Sequence, residues 1–297
     1  AGLGVAPLKP DPDRYEHKFE YCDVLVAGSG PSGLASALAA AKNGAKVIFA
    51  EDKPRFGGSL LTDEVTIGNK KGKDWADETI DQVKSMPNVI VKNRSQVFGY
   101  YDHNMMVMFE RTKDHIENPT KFTPRQRLWY IRAKEVIVST GSIERPMIFN
   151  NNDRPGILLS SAIKKYSDFF GVACGKKNIL LTNNDSAYET AISLIKKGIN
   201  IETIIDNREK VDSKLLYEVE KNNIKIFKGY TVSDTSGYKR INKISIKQLS
   251  KDGQKVIGSK INLSCDCLGV SGGWTPAVHL FTQSGGKLKF RDEDQTF

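Results

Sequence analysis

Apolar residues in this chain fall in short, dense runs, and the runs break at glycine. Asp23 to Gly33, Asp-Val-Leu-Val-Ala-Gly-Ser-Gly-Pro-Ser-Gly, reads as a buried strand that enters a glycine-rich turn and opens a helix. That helix, Leu34 to Asn43, is mostly alanine and leucine, and a second strand over Ala45 to Ala50 ends in Glu51. Ala133 to Ser139 is another buried-strand run, closing on Thr140-Gly141-Ser142. A second strand-turn-helix-strand unit starts at Lys177. It comprises strand Asn178 to Thr182, turn Asn183 to Ser186, amphipathic helix Ala187 to Lys197 and strand Asn200 to Ile205, ending in Asp206. Helix Lys214 to Asn222, strand Ile224 to Phe227 and antiparallel segments at Lys243 to Leu249 and Lys255 to Leu263 follow. Leu263 to Val270 is then a strand leaving through Ser271-Gly272-Gly273-Trp274-Thr275-Pro276, and Ser284 to Leu288 is expected to form a last hairpin. Strands alternating with helices predict an α/β chain of two Rossmann-like dinucleotide-binding domains. The first takes residues 1–160 and 271–297, and the second, 161–270, is inserted in it.

The first turn carries the chemistry. Gly28 permits the tight turn, Gly30 lets the backbone approach a pyrophosphate, and Gly33 lets the helix lie close to the strand. The helix N-terminus offers unpaired N–H groups and the positive dipole end to phosphate. Glu51 stands 23 residues after Gly28, where a carboxylate accepts hydrogen bonds from a ribose diol. Glu51 and Asp52 together repel a 2′-phosphate, which favours NAD or FAD over NADP; Lys53, able to turn toward a phosphate, weakens that preference. NAD and FAD stay unseparated, because both present an ADP half to such a turn. Gly57-Gly58-Ser59 is a second glycine loop of the kind that lies along an extended dinucleotide. Thr140-Gly141 would bring the chain back beside the first turn. In the second unit Asn183, Asn184 and Asp185 replace the glycines; side chains there block close backbone approach, and Asp185 repels a pyrophosphate.

Composition changes the picture only at the margins. The 297 residues suffice for two medium domains, and 39% hydrophobic with 27% charged residues suit a globular protein. No apolar run approaches the roughly 18 residues that a membrane helix needs, and the start lacks the pattern of a secretory signal. The absence of an initiator Met suggests a fragment or a processed chain. A formal charge of +9 raises nucleic acid as a partner. The lysines, however, are spread in pairs such as Lys164-Lys165, Lys176-Lys177 and Lys196-Lys197, with no interleaved stacking aromatics, so no nucleic acid is expected. Cys22, Cys174, Cys265 and Cys267 form no metal signature. Cys265 and Cys267 on one strand would point the same way, as buried thiols in reducing, cytoplasmic surroundings. His103 with Tyr100, Tyr101 and Asp102 reads as packing, Arg125, Arg127 and Arg132 as surface or interface groups, and Trp274 as a packed corner.

Several long stretches of unusual composition bear on the family. They are Pro-Asp-Pro-Asp-Arg-Tyr-Glu-His at 10–17, Gly-Gly-Ser-Leu-Leu at 57–61, Val-Phe-Gly-Tyr-Tyr-Asp-His-Asn at 97–104 and Arg-Gln-Arg-Leu-Trp at 125–129. Thr-Gly-Ser-Ile-Glu-Arg-Pro at 140–146, Asn-Asn-Asp-Arg-Pro-Gly at 151–156, Thr-Asn-Asn-Asp-Ser-Ala-Tyr at 182–188 and Ser-Gly-Gly-Trp-Thr-Pro-Ala-Val-His-Leu at 271–280 complete them. With these the whole chain resembles the alpha subunits of heterotetrameric sarcosine oxidases. The resemblance implies the two-domain plan of FAD/NAD(P)-binding, disulfide-reductase-like proteins. It further implies the middle segment of a longer subunit, without a small N-terminal domain and a C-terminal folate-binding region similar to aminomethyltransferases. Such complexes oxidise sarcosine with oxygen to glycine and hydrogen peroxide and pass the one-carbon unit to tetrahydrofolate. FAD, FMN and tetrahydrofolate would lie elsewhere in a complex with beta, gamma and delta subunits, and this segment would hold NAD without catalytic residues of its own. The residues implied around NAD are Gly28, Ser29, Gly30, Pro31, Ser32, Gly33, Glu51, Asp52, Lys53, Gly58, Ser59, Val97, Thr140 and Gly141. Two alternatives stand beside this reading: an FAD-binding large subunit of a related amine or amino-acid dehydrogenase, and a structural scaffold with an empty pocket.

Overall fold

The structure, a computed structural model, describes residues 4–297. The chain divides into two units: the residues up to Gly141 with Ala277–Lys289, and Ser142–Pro276 with Phe290–Phe297.

The first unit is built on a six-stranded sheet. Its strands are β1 (Tyr15–Ala27), β2 (Val47–Ala50), β3 (Val89–Lys92), β4 (Ser95–Tyr101), β5 (Met105–Arg111) and β6 (Gln126–Val138), ordered β3-β2-β1-β6-β5-β4. The first four in that order are mutually parallel, and β5 pairs antiparallel with both β6 and β4. Alternation along the strands sorts side chains to two faces. Val26 and Phe49 pack with α1 (Pro31–Lys42) and α2 (Gly72–Ser85), joining Leu34, Ala37, Ala76, Ile80 and Val83. Leu25, Ala27, Ile48 and Ala50 turn the other way, onto Met106, Met108, Ile131 and Leu280. Each of the valine, leucine, isoleucine, phenylalanine and methionine side chains among these contributes about 1.5–3 kcal/mol when taken from water. α1 begins at Pro31 rather than Leu34, since a proline in the first turn forfeits no helical hydrogen bond. The segment expected as a hairpin at Ser284 to Leu288 instead follows a short helix, His279–Gln283. The N–H groups of Gly285 and Gly286 close that helix on the carbonyls of Thr282 and Phe281.

The second unit repeats the layering. Strands β7 (Ile157–Leu159), β8 (Asn178–Thr182), β9 (Ile201–Asp206), β10 (Lys225–Lys228) and β14 (Cys267–Ser271) form a parallel sheet ordered β7-β14-β8-β9-β10. Helices α3 (Ser160–Phe170), α4 (Ser186–Ile195) and α5 (Lys214–Lys221) supply the partners of one core, which holds Ile163, Tyr188, Leu194 and Val219. An antiparallel sheet of β11 (Tyr230–Ser236), β12 (Lys243–Leu249) and β13 (Val256–Ser264) supplies Val232, Ile244 and Ile246 to the other. The chain crosses between units at Gly141–Ser142 and Pro276–Ala277, where the sequence suggested residues near 160 and 270, and again at Lys289–Phe290, within the segment expected to belong to the first domain. Pairing is the reason. Ser142–Glu144 pairs with Trp274–Pro276, and Ile157–Leu159 with Leu268–Val270, so both segments are stitched within the second unit. Cys265 and Cys267 do not share a strand face: β13 ends at Ser264 and β14 starts at Cys267, and the two thiols enter different cores. Burial pushes both up to about 12.

Candidate dinucleotide-binding site

The parallel strands of the first unit end together, and the turn after β1 is dictated by what it touches. Gly28 has φ +99°, and a Cβ there would stand 2.3 Å from the Ser139 carbonyl oxygen. A Cβ on Gly33 would stand 1.9 Å from the Gly28 carbonyl oxygen. Both positions therefore need glycine for reasons internal to the protein. Gly30 differs, because a Cβ there would meet no protein atom within 4 Å. Its open backbone sits at the N-cap of α1, where no side chain caps the helix, and Pro31 and Ser32 are exposed beside it. An uncapped helix end beside bare backbone fits a pyrophosphate.

Glu51 ends β2 and is 7% exposed. Its backbone is fixed by its own N–H to the Lys92 carbonyl (2.8 Å) and by the Ser95 N–H to its carbonyl (2.8 Å). Oε2 accepts from the Ser29 N–H at 3.0 Å and from the Ser29 hydroxyl, while Oε1 accepts from the Lys53 N–H at 2.9 Å. Burial pushes the Glu51 carboxyl above the usual range, with Asp52 beside it acting in the same direction, against the donors from Ser29 and Lys53. Burial also raises the neighbouring Asp52, but its contacts with Glu51, Lys53 and Arg111 outweigh that and lower it. Lys53 closes on the Asp52 carboxylate, and Arg111 donates to the Asp52 carbonyl at 2.6 Å.

The second glycine loop lies on the first turn. Gly57 (φ +124°) donates its N–H to both the carbonyl and the hydroxyl of Ser29, at 3.0 and 3.1 Å. A Cβ on Gly58 would reach within 2.8 Å of the Gly30 Cα. Phe56 and Leu60 anchor the loop in the core, and Ser59 is exposed. Val97 is half-buried on β4 at a bulge, two residues beyond the Ser95 that holds Glu51. Thr140 donates its hydroxyl to the Ala277 carbonyl at 2.8 Å, and Gly141, with φ +67°, accepts the Ala277 N–H at 2.9 Å.

The turn, the acid, the second loop and Thr140-Gly141 thus gather at one end of one sheet. Ser139 and Ala277 belong with them and were missed. The Ser139 hydroxyl is buried without a hydrogen-bond partner, and its only signal in the sequence was its place between a strand and Thr140-Gly141. His103 sits at the exposed tip of the β4–β5 turn in left-handed backbone. Arg125 and Arg127 are spent on Asp13 and Glu16, at the opposite end of β6 from Ser139. Among the described residues no group of three or more His, Cys, Asp or Glu could hold a metal ion.

The corresponding turn of the second unit is filled by the protein's own groups. Asn184 Oδ1 accepts the Ser186 N–H at 3.0 Å, and Asn184 Nδ2 donates to the Ser271 carbonyl at 3.0 Å. Asp185 accepts from Arg208 at 2.8 Å, and the Trp274 indole donates to the Ser186 hydroxyl at 2.8 Å. Arg208 also grips the fully buried Asp206 at 2.8 Å. A cleft of about 570 Å³ beside Asn183, Asn207 and Arg208 opens against Thr231, Val232 and Ser233.

Residues 22–295 match the family model described as pyridine nucleotide-disulphide oxidoreductase. The sarcosine oxidase subunit alpha of Rhizobium meliloti (strain 1021) is 36% identical over 297 residues, covering 100% of this chain and 29% of that protein. Its counterpart in Corynebacterium sp. (strain U-96) is 34% identical over 292 residues, covering 98% of this chain and 30% of the relative. The chain thus spans under a third of the length of these curated relatives. The crystal structure of L-proline dehydrogenase from P. horikoshii superposes with a TM-score of 0.68 at 21% identity, over 93% of this chain and 47% of that one. It shares the fold.

Proposed function

The chain belongs to the pyridine nucleotide-disulphide oxidoreductase family, and from that membership we propose that it is the NAD-binding segment of a sarcosine oxidase alpha subunit. The observation that carries this reading is the juxtaposition of open Gly30 backbone, an uncapped helix end and the Glu51 carboxylate. The similarity of nearly all of this chain to part of the sarcosine oxidase alpha subunits supports the choice of complex. The pyrophosphate lies against Gly28 to Gly33, the adenosine ribose on Glu51, and Gly58, Ser59, Val97, Thr140 and Gly141 flank the remainder. Bound nicotinamide supplies a hydride acceptor or donor. The chain's own groups bind and orient. Helix N–H groups meet anionic oxygens, Glu51 accepts from a diol, and Asp52 repels a 2′-phosphate. The oxidation of sarcosine, with glycine, peroxide and methylene-tetrahydrofolate as products, belongs to flavin and folate sites beyond these residues. The beta, gamma and delta subunits are the partners, in the cytoplasm. The second unit binds no dinucleotide, because Asn184, Asp185 and Trp274 occupy the places a diphosphate requires.

A second reading, FAD in the first unit, draws on the same Glu51 and glycine turn, which meet an ADP half common to both molecules. Cofactor released from the purified chain by denaturation and identified by mass spectrometry tests both readings. NAD in equimolar amount is the expected outcome. FAD would shift the assignment to a flavin-binding dehydrogenase subunit, and failure to bind either molecule on titration would leave a scaffold.

A further inference from the structure

Ser29 occupies the position in the turn whose side chain is free to vary in a glycine-turn motif, yet it is 1% exposed and every polar atom on it is directed. Its N–H and hydroxyl both donate to Glu51 Oε2, and its hydroxyl oxygen and carbonyl both receive the Gly57 N–H. The direction of the hydroxyl follows from this. The Gly57 N–H can only donate, so the Ser29 hydroxyl accepts from it and turns its own single proton to Glu51 Oε2. One side chain therefore joins the phosphate turn, the ribose acid and the second glycine loop.

We propose that Ser29 is the positioning residue of the dinucleotide site, fixing the Glu51 carboxylate for the ribose diol and holding the Gly57-Gly58 loop against Gly30. The inference rests on the reading of the first unit as a dinucleotide site. Oε2 receives both donors of Ser29 and Oε1 receives the Lys53 N–H, so Oε1 is the oxygen left to meet a ribose hydroxyl, with the Asp52 carboxyl close to Glu51. The paired donors of Ser29 converge on one oxygen and so fix the plane of the carboxylate. The Ser29 donors favour the charged form of Glu51, while burial and Asp52 oppose it and raise the carboxyl on balance. The charged side chains along the surrounding elements include Asp52 and Lys53 beside Glu51, Arg55 before the second loop, Lys92 of β3 with its partner Glu110, Arg94 after it, and Arg111 from β5 on the Asp52 carbonyl.

The test is titration of the 297-residue chain with NAD and FAD, following whichever binds more tightly, from mildly acidic to neutral pH. Wild type, Ser29→Ala, Glu51→Gln and the double variant are compared. Ser29→Ala is expected to weaken binding by about tenfold, one hydrogen bond to a charged group. It is also expected to move the acid limb of the binding curve to higher pH, because Glu51 loses a donor that favours its charge. In the Glu51→Gln background that limb disappears and Ser29→Ala costs markedly less, the non-additivity of two groups acting together. A Ser29→Ala protein that binds as wild type does, with an unmoved acid limb, overturns the role of Ser29 and leaves the dinucleotide site standing. A wild-type chain that binds neither dinucleotide overturns the site itself, and Ser29's role with it.

Discussion

Glu51 and Ser29 show how one residue's environment sets its use. Ribose hydroxyls donate, so they need the carboxylate rather than the acid. Glu51→Ala is expected to weaken NAD by roughly 1–3 kcal/mol, measured by titration calorimetry. Affinity is also expected to fall as pH drops through the Glu51 pKa of the free chain, which burial lifts above the ordinary Glu value. Folding responds with the opposite sign. A carboxyl whose pKa is raised in the folded state contributes stability below its unfolded value and loses that contribution as pH rises through the folded one. The rise in melting temperature caused by NAD should therefore shrink toward acid, and in Glu51→Gln it should vary little with pH. Glu51 was legible in the sequence because a strand end and a spacing place it. Ser139 and Ala277 were not, because their contacts join residues far apart in the chain.

At the scale of elements, helix α1 meets the turn after β1 at Gly33, where only glycine fits. A Cβ at Gly33 would meet backbone, the Gly28 carbonyl oxygen at 1.9 Å, and backbone cannot swing aside as a side chain can. Gly33→Ala is expected to destabilise the first unit by about 1–3 kcal/mol or more, seen as an earlier transition in denaturant. Gly30→Ala, with no protein atom near its Cβ, should leave stability nearly unchanged while weakening dinucleotide binding. In the second unit, burial opposes the charge of Arg208, while Asp206 and Asp185 more than restore it and raise its pKa. Arg208→Ala would strand the buried Asp206 carboxylate with Tyr188 as a remaining partner, its hydroxyl donating at 2.9 Å. The expected loss is about 3 kcal/mol, the lower end for breaking a buried pair from one side. Denaturant melts of that variant beside Arg208→Lys, which keeps the charge, would separate charge from packing. Strands and helices of this unit were readable from hydrophobic period, but the break between Ser264 and Cys267 was not. Leu263 to Val270 reads as one strand in the sequence, and only the assignment of its two ends to different sheets reveals the corner.

For the whole molecule, one dinucleotide per chain and no amine oxidation are expected. Peroxide released from sarcosine by the purified chain, above a control without enzyme, would place the oxidising site here and refute the assignment. Among the described residues no helix is long and apolar enough to cross a membrane. The sequence by itself determined the α/β class, the glycine turn, the acid that ends β2 and the replacement of glycine at the second turn. Each of these is local: a run of apolar residues, a turn, a spacing along one strand-helix-strand unit. Tertiary structure alone decided where the units divide, because segments 142–144 and 274–276 pair across more than a hundred residues of chain. It alone showed that Gly28 is glycine because of Ser139, that Ser29 joins Glu51 to Gly57, and that Arg208 fills the second turn from within. Hydrophobic period records which face of an element is buried and carries no record of its partner. Hydrogen bonds between distant loops leave no period in the sequence at all.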